Sequence, residues 1–310
     1  TGNIGHKGQL LATVSTRGVS VWSLPDWQQE AHIPGNAICA AFFESEKGCE
    51  LLYSNDDGVF RTAVHFEQGQ SLELETPRKV PVPAGNACVR QFSFTERGDV
   101  VAMAADGGRI FVIHLQGDAP ATELKYEFLS GVSISTDGSR CVAFTEHQKG
   151  ITVFDIDSGQ SQRHLGDDLV VGAVFGPRGE KLLVDTHDNL LVVDATSLEI
   201  RQSICWNESS EAVRWPTDWS FCNGGQMVAL RRVPYVINLV DLNSSEIIAD
   251  LPVSYPYPWL QLTPEGTWLV CTDEKLKMQI WDIGEIRRNL GKLGLNWCLT
   301  SEPARGSHIE

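Results

Sequence analysis

The chain has 310 residues, with 25 Lys and Arg against 40 Asp and Glu, a formal charge of -15 and a 42% hydrophobic share. That apolar share supports a real core and excludes disorder along the whole length. The acidic balance sets the chain against nucleic-acid binding, because such a surface repels phosphate, and suits a basic protein partner instead.

From the N-terminus, short apolar strands recur in pairs. They are LLATVS from Leu10 with VSVWSL from Val19, ELLYSN from Glu50 with VFRTAV from Val59, and VVAMAA from Val100 with IFVIHL from Ile110. CVAFTE from Cys141 precedes ITVFDI from Ile151, and KLLVDT from Lys181 precedes LLVVDA from Leu190. MVALRR from Met227 leads to INLVDL from Ile237, and WLVCTD from Trp268 to MQIWDI from Met278. The second members start 40, 51, 41, 39, 47 and 41 residues apart, close to the ~40–45-residue period of a propeller blade. Before many of these pairs another apolar strand ends in a Gly turn, as in FTERGD, ISTDGS, FGPRGE and LTPEGT, where Gly supplies positive φ. A looser polar strand completes each unit, as in a four-stranded blade.

The expected fold is all-β, a seven-bladed propeller with a short C-terminal helix. The expected blades span 1–34, 35–86, 87–127, 128–166, 167–206, 207–253 and 254–300, with 301–310 a disordered tail. A pair of sandwiches is the alternative all-β reading, but sandwich strands share no such period.

These units resemble the WD40 repeat family. The family dipeptide is intact at Trp281-Asp282, with related pairs at Phe154-Asp155, Val193-Asp194 and Val240-Asp241, and Trp22-Ser23 without the acid. The family's Gly-His pair before each innermost strand is missing, so apolar packing carries more of the blade. The run DIGEIRRNLGKLGLNW, from Asp282 to Trp297, resembles the end of WD40 regions in planctomycete-type bacterial proteins, where such regions often follow a Ser/Thr kinase domain. The kinase motifs themselves are absent from this sequence. Within the run, Ile283, Ile286, Leu290 and Leu293 have the spacing of an amphipathic helix, with Arg287, Arg288 and Lys292 on its polar side. Ring closure has two routes: Leu295 to Thr300 forms the last outer strand, or the native protein has more residues before Thr1.

Signatures of catalysis are scarce. No GxSxG, HExxH or Walker loop occurs, and no cofactor or metal is expected. Asp185-Thr186-His187-Asp188-Asn189 is one local cluster of metal-capable side chains, and it reads as a turn. The eight cysteines have no zinc-like spacing and read as small buried hydrophobes of a reduced protein. No apolar run approaches the roughly 18 residues of a membrane helix. A cytoplasmic monomer is expected, extracytoplasmic if a membrane span lies upstream of Thr1.

One face carries the stronger signal. In a WD40-type blade, the turn between second and third strands shares a face with the loop entering the blade. Those turns carry Asp56, Asp57, Asp106, Asp185, Asp188, Asp273 and Glu274. The entering loops of the last two units add Trp206, Trp215, Trp219, Tyr255, Tyr257 and Trp259. Aromatic residues beside carboxylates suit a cationic partner side chain. The expected function is therefore a non-catalytic scaffold or sensor module for a protein or peptide partner, linked by its tail to kinase signalling. The alternative is a propeller hydrolase or lactonase with a metal at the central channel. Trp215 and Trp259 also adjoin innermost strands and have a plain core reading.

Overall fold

The computed structural model describes residues 2–5, 8–24, 26–67, 71–83, 88–117, 119–145, 148–186, 188–205, 219–233, 235–254, 259–272 and 278–294. Every strand expected from the apolar alternation is present, and all pair antiparallel with their neighbours in sequence. The innermost strands form a circle. Gly2–Gly5 lies beside Ala37–Ser45, which lies beside Val89–Phe94, then Gly131–Ile134, then Ser161–Phe175. On the other side Trp219–Cys222 lies beside Trp259–Leu262, which returns to Gly2–Gly5. This is a β-propeller arrangement.

The blade count departs from expectation. Among the described residues, five sheets stand as separate blades, beginning at Gly2–Gly5, Ala37–Ser45, Val89–Phe94, Trp219–Cys222 and Trp259–Leu262. The stretch expected to hold two blades, 128–166 and 167–206, is one continuous seven-stranded sheet from Gly131–Ile134 to Ile200–Cys205. The reason is one 15-residue strand, Ser161–Phe175, which pairs with Lys149–Asp155 through its first part and with Lys181–Thr186 through its last. The expectation of seven separate blades is corrected accordingly. The last sheet has three strands among the described residues; Leu295 to Thr300 and the tail 301–310 lie outside them.

Side chains hold neighbouring innermost strands together in a repeating way. The backbone N–H of Phe42 donates to Asn3 Oδ1 at 2.8 Å, that of Ile134 to Ser93 Oγ at 3.0 Å, that of Phe175 to Ser133 Oγ at 3.0 Å and that of Leu262 to Ser220 Oγ at 2.8 Å. Partners are 39, 41, 42 and 42 residues apart, one repeat in each case. The core lies between successive sheets. One cluster joins Leu10, Ala12 and Val21 to Phe42, Leu51 and Tyr53, and another joins Val101, Met103 and Phe111 to Phe43 and Leu52. Ile4, Leu11 and Val270, with Trp22, Trp27 and Trp259 packed against them, close the circle between first and last sheets.

Where an acid ends the third strand, at Asp155, Asp194, Asp241 and Asp282, it acts locally. Asp155 Oδ1 accepts from Ser158 N at 2.8 Å, Asp194 Oδ1 from Ser197 N at 2.9 Å and Asp241 Oδ1 from Ser244 N at 3.4 Å. The next residue then reverses the chain with positive φ, at Gly159 (67°), Leu198 (59°) and Ser245 (61°). Asp282 makes the same bond, to Glu285 N at 2.6 Å, but there it caps a helix, Ile283–Lys292. The residue at the reversing position is Ile286, whose β-branch disfavours positive φ, so the first turn propagates. Only the first half of the expected stripe is used. Ile283 is buried and Ile286 packs on the last core cluster, whereas Leu293 is 73% exposed.

Two expectations follow. Ser133 is 3% and Ser220 6% exposed, so Ser133→Ala or Ser220→Ala leaves a buried N–H unpaired, costing about 1–3 kcal/mol. Each should lower the melting temperature by several degrees; unchanged melting curves would remove the stitches from the stabilising set. The second concerns acid. The Ser197 N–H, then Arg201 and the Thr196 N–H, hold the Asp194 carboxyl down at about 2 against an ordinary 3.8. A depressed folded value contributes stability above the ordinary range and loses it as pH falls through about 2. Melting of Asp194→Asn should fall below wild type near neutral pH, and the gap should close between about pH 4 and 2. A gap independent of pH would assign the effect elsewhere.

Candidate functional site

The circle of innermost strands encloses a cavity of about 1020 Å³, to whose wall all six sheets contribute. Asn3 comes from the first sheet, Cys39 to Ala41 from the second, Arg90 to Phe92 from the third and Gly131, Phe144 and Val171 from the seven-stranded sheet. Trp219 and then Trp259 and Gln261 come from the last two sheets. The turn Asp106-Gly107-Gly108 and the loop Glu127 to Ser130 complete the wall. These are a second-to-third-strand turn and a blade-entering loop, the two classes expected to share the functional face.

A bulge places the cation. Val89 pairs with Ala105 and Gln91 with Ala104, so Arg90 is the extra residue of the innermost strand. The same irregularity occurs at Ile38 and at Val171, four residues before Phe42 and Phe175 of their strands. Bulges re-aim a side chain, and here Arg90 Nε meets Asp106 Oδ1 at 2.7 Å. Asp106, followed by the neighbouring Cys88 side chain, raises the Arg90 pKa. The Asp106 backbone N–H donates to Cys88 O at 3.0 Å, tying the turn to the start of that strand. Gly107 and Gly108 both have positive φ, 75° and 71°, and a Cβ on Gly108 would overlap Tyr126 O.

The entering loop carries two further groups. Glu127 is exposed, and Phe128 is 66% exposed with φ of 56°. A bulky residue in the left-handed region is strained by about 1–2 kcal/mol, and strain of this kind gathers at ligand sites. On the opposite wall, Trp219 lies across Gly172. A Cβ on Gly172 would stand 2.5 Å from Trp219 Cζ2.

The sequence-derived residues are distributed as follows. Asp106, Trp219 and Trp259 meet at the cavity. Asp56 accepts from Asn36 Nδ2 at 2.9 Å and Asp57 N donates to Asn55 Oδ1 at 2.9 Å, in a turn of the second sheet away from the cavity wall. Asp188 is exposed in its turn, where Thr186 Oγ1 donates to Asn189 O at 2.9 Å. Asp185 is 1% exposed, within a strand, and offers no surface to a partner arriving from solvent. Trp206, Trp215, Tyr255, Tyr257, Asp273 and Glu274 lie outside the described residues. Arg90, Gln91, Glu127, Phe128 and Gln261 were not singled out by sequence. The usable signal was the long polar pair Arg90-Gln91 within the strand Val89–Phe94. Among the described residues, no group of three or more His, Cys, Asp or Glu could hold a metal ion.

Because a Cβ at Gly172 would overlap the Trp219 indole, Gly172→Ala should move Trp219, destabilise the fold by about 1–3 kcal/mol and alter tryptophan emission of the folded protein. An unchanged emission spectrum would show that Trp219 does not depend on that glycine.

Compared with known proteins, the chain matches no protein-family model, and no curated protein matches it in sequence.

Proposed function

We propose that this chain is a non-catalytic, WD40-like propeller module that binds a protein or peptide partner at its central cavity. The observation that carries the reading is the composition of that cavity: carboxylates of Asp106 and Glu127 and the exposed Phe128 on one side, and the indoles of Trp219 and Trp259 on the other. Concave sites are the usual binding sites of folded domains, and rigid aromatic side chains are favoured anchors. The overall charge of -15 favours a basic partner.

The resemblance of Asp282 to Trp297 to the tails of kinase-linked bacterial WD40 regions supports a scaffold or sensor role in such signalling. No helix among the described residues is long and apolar enough to cross a membrane. The described cysteines are free thiols, five of them buried, which fits a reducing, cytoplasmic setting.

A random peptide library selected against the chain tests the reading. It should enrich basic peptides, and Glu127→Lys or Phe128→Ala should weaken the enriched peptides about ten-fold or more, as loss of a hot-spot contact does. Both residues are exposed, so melting temperatures should stay within about 2 °C of wild type. Failure to enrich any peptide, or enrichment indifferent to both substitutions, would overturn it.

A further inference from the structure

The central cavity has one internal occupant of its own charge pattern. Among the described residues of its wall, Arg90 is the single cation, and Asp106 and Glu127 are the carboxylates. Arg90 reaches Asp106 from a bulge, at 2.7 Å, with the two side chains 69% and 45% exposed. A pair this open to water is weakly held and exchangeable. Across the cavity stand Trp219 and Trp259, rigid apolar surfaces for the rest of a peptide, and at Asp106 a guanidinium offers two parallel N–H donors where an ammonium offers a point charge. The volume of about 1020 Å³ leaves room for a second side chain beside Arg90.

We propose that the cavity is a receptor for an arginine side chain carried on a partner peptide, and that Arg90 is the resident guanidinium with which it competes for Asp106. The inference rests on the reading of the cavity as a peptide site and adds the chemistry it selects. An entering guanidinium takes the Asp106 carboxylate in place of Arg90, while the rest of the peptide extends toward the indole wall. Glu127 at the mouth lowers the cost of bringing in positive charge. Resident Arg90 therefore sets a threshold: weakly basic sequences fail to displace it, and a well-placed arginine succeeds.

Titration of the full chain with acetyl-Gly-Arg-Gly-amide, followed by tryptophan emission and by NMR, tests this. The lysine and citrulline counterparts and free arginine amide serve as comparison ligands. The arginine peptide should bind, lysine more weakly and neutral citrulline not at all. Arg90→Gln should tighten the arginine peptide about two- to five-fold, the range an exposed pair supplies. Asp106→Asn should abolish that gain in the double variant, and thermal melts confirm that each variant is folded. Arg90→Gln that leaves binding unchanged or weaker, or citrulline binding as well as arginine, overturns the proposal. Free arginine amide binding as tightly as the peptide would overturn the peptide part, making the ligand a small molecule. Library-selected peptides that bind but tolerate arginine-to-citrulline exchange would sink this inference while leaving the binding-module reading intact. Failure of every peptide would remove both.

Discussion

The fold depends on how the innermost strands deal with their free edges. Each such strand pairs with the rest of its sheet on one side and faces the cavity on the other, where backbone N–H groups would need water or a partner. Asn3, Ser93, Ser133 and Ser220 supply one, each reaching the backbone of the next innermost strand. Because the hydroxyl and its N–H belong to successive repeats, the bond fixes the stagger between sheets as well as their spacing. A polar side chain is needed at that place, because an apolar one would leave the N–H unpaired; Gln91 adds a further bond of the same kind, accepting from the Val132 N–H at 3.1 Å.

Two repeats lack the polar residue, with Ala41 and Val174 in its place, and both are held in another way. Beyond Ala41, Phe43 stacks on Phe94 at 5.0 Å and Ser54 Oγ donates to Val89 O at 2.7 Å. Beyond Val174, Trp219 lies over Gly172 while Leu183 and Leu190 share a core with Val228 and Leu230. The aromatic wall of the cavity thus originates partly in structural substitution: where a hydrogen bond is missing, a large ring crosses the gap. Trp259 has a similar double role, since it also packs where first and last sheets meet.

Much of this was legible in sequence because it is local. Alternation of apolar residues gave the strands, and the Thr95–Asp99 and Thr263–Thr267 turns declared themselves through Gly98 and Gly266, both with positive φ. The helix Ile283–Lys292 was legible for the same reason, although the cause of its start was not. Asp282 bonds as Asp155 and Asp194 do, and the outcome differs through one β-branched residue, Ile286, four positions on. What sequence did not yield is what pairing decides. Nothing in the stretch SQRHLGDDLVVGAVF says that two units share one strand. A bulge at Arg90 has no local signature either, because it exists only relative to the strand opposite. Burial of Asp185 is likewise a property of its neighbours, whereas its local string DTHDN is that of a turn.

The cavity is asymmetric because the repeat is imperfect. A strictly repeated ring would present the same side chain from every sheet, and its centre would have no preferred direction for a ligand. Here the third sheet contributes a bulged cation, the neighbouring turn its carboxylate, and the later sheets two indoles. One departure that costs stability, the positive φ of the bulky Phe128, falls at this wall. Local rules broken where a fold otherwise keeps them point to function more than to chance. The residues by which one repeat differs from the next therefore give the cavity its direction, while the residues that recur hold the ring in shape around them.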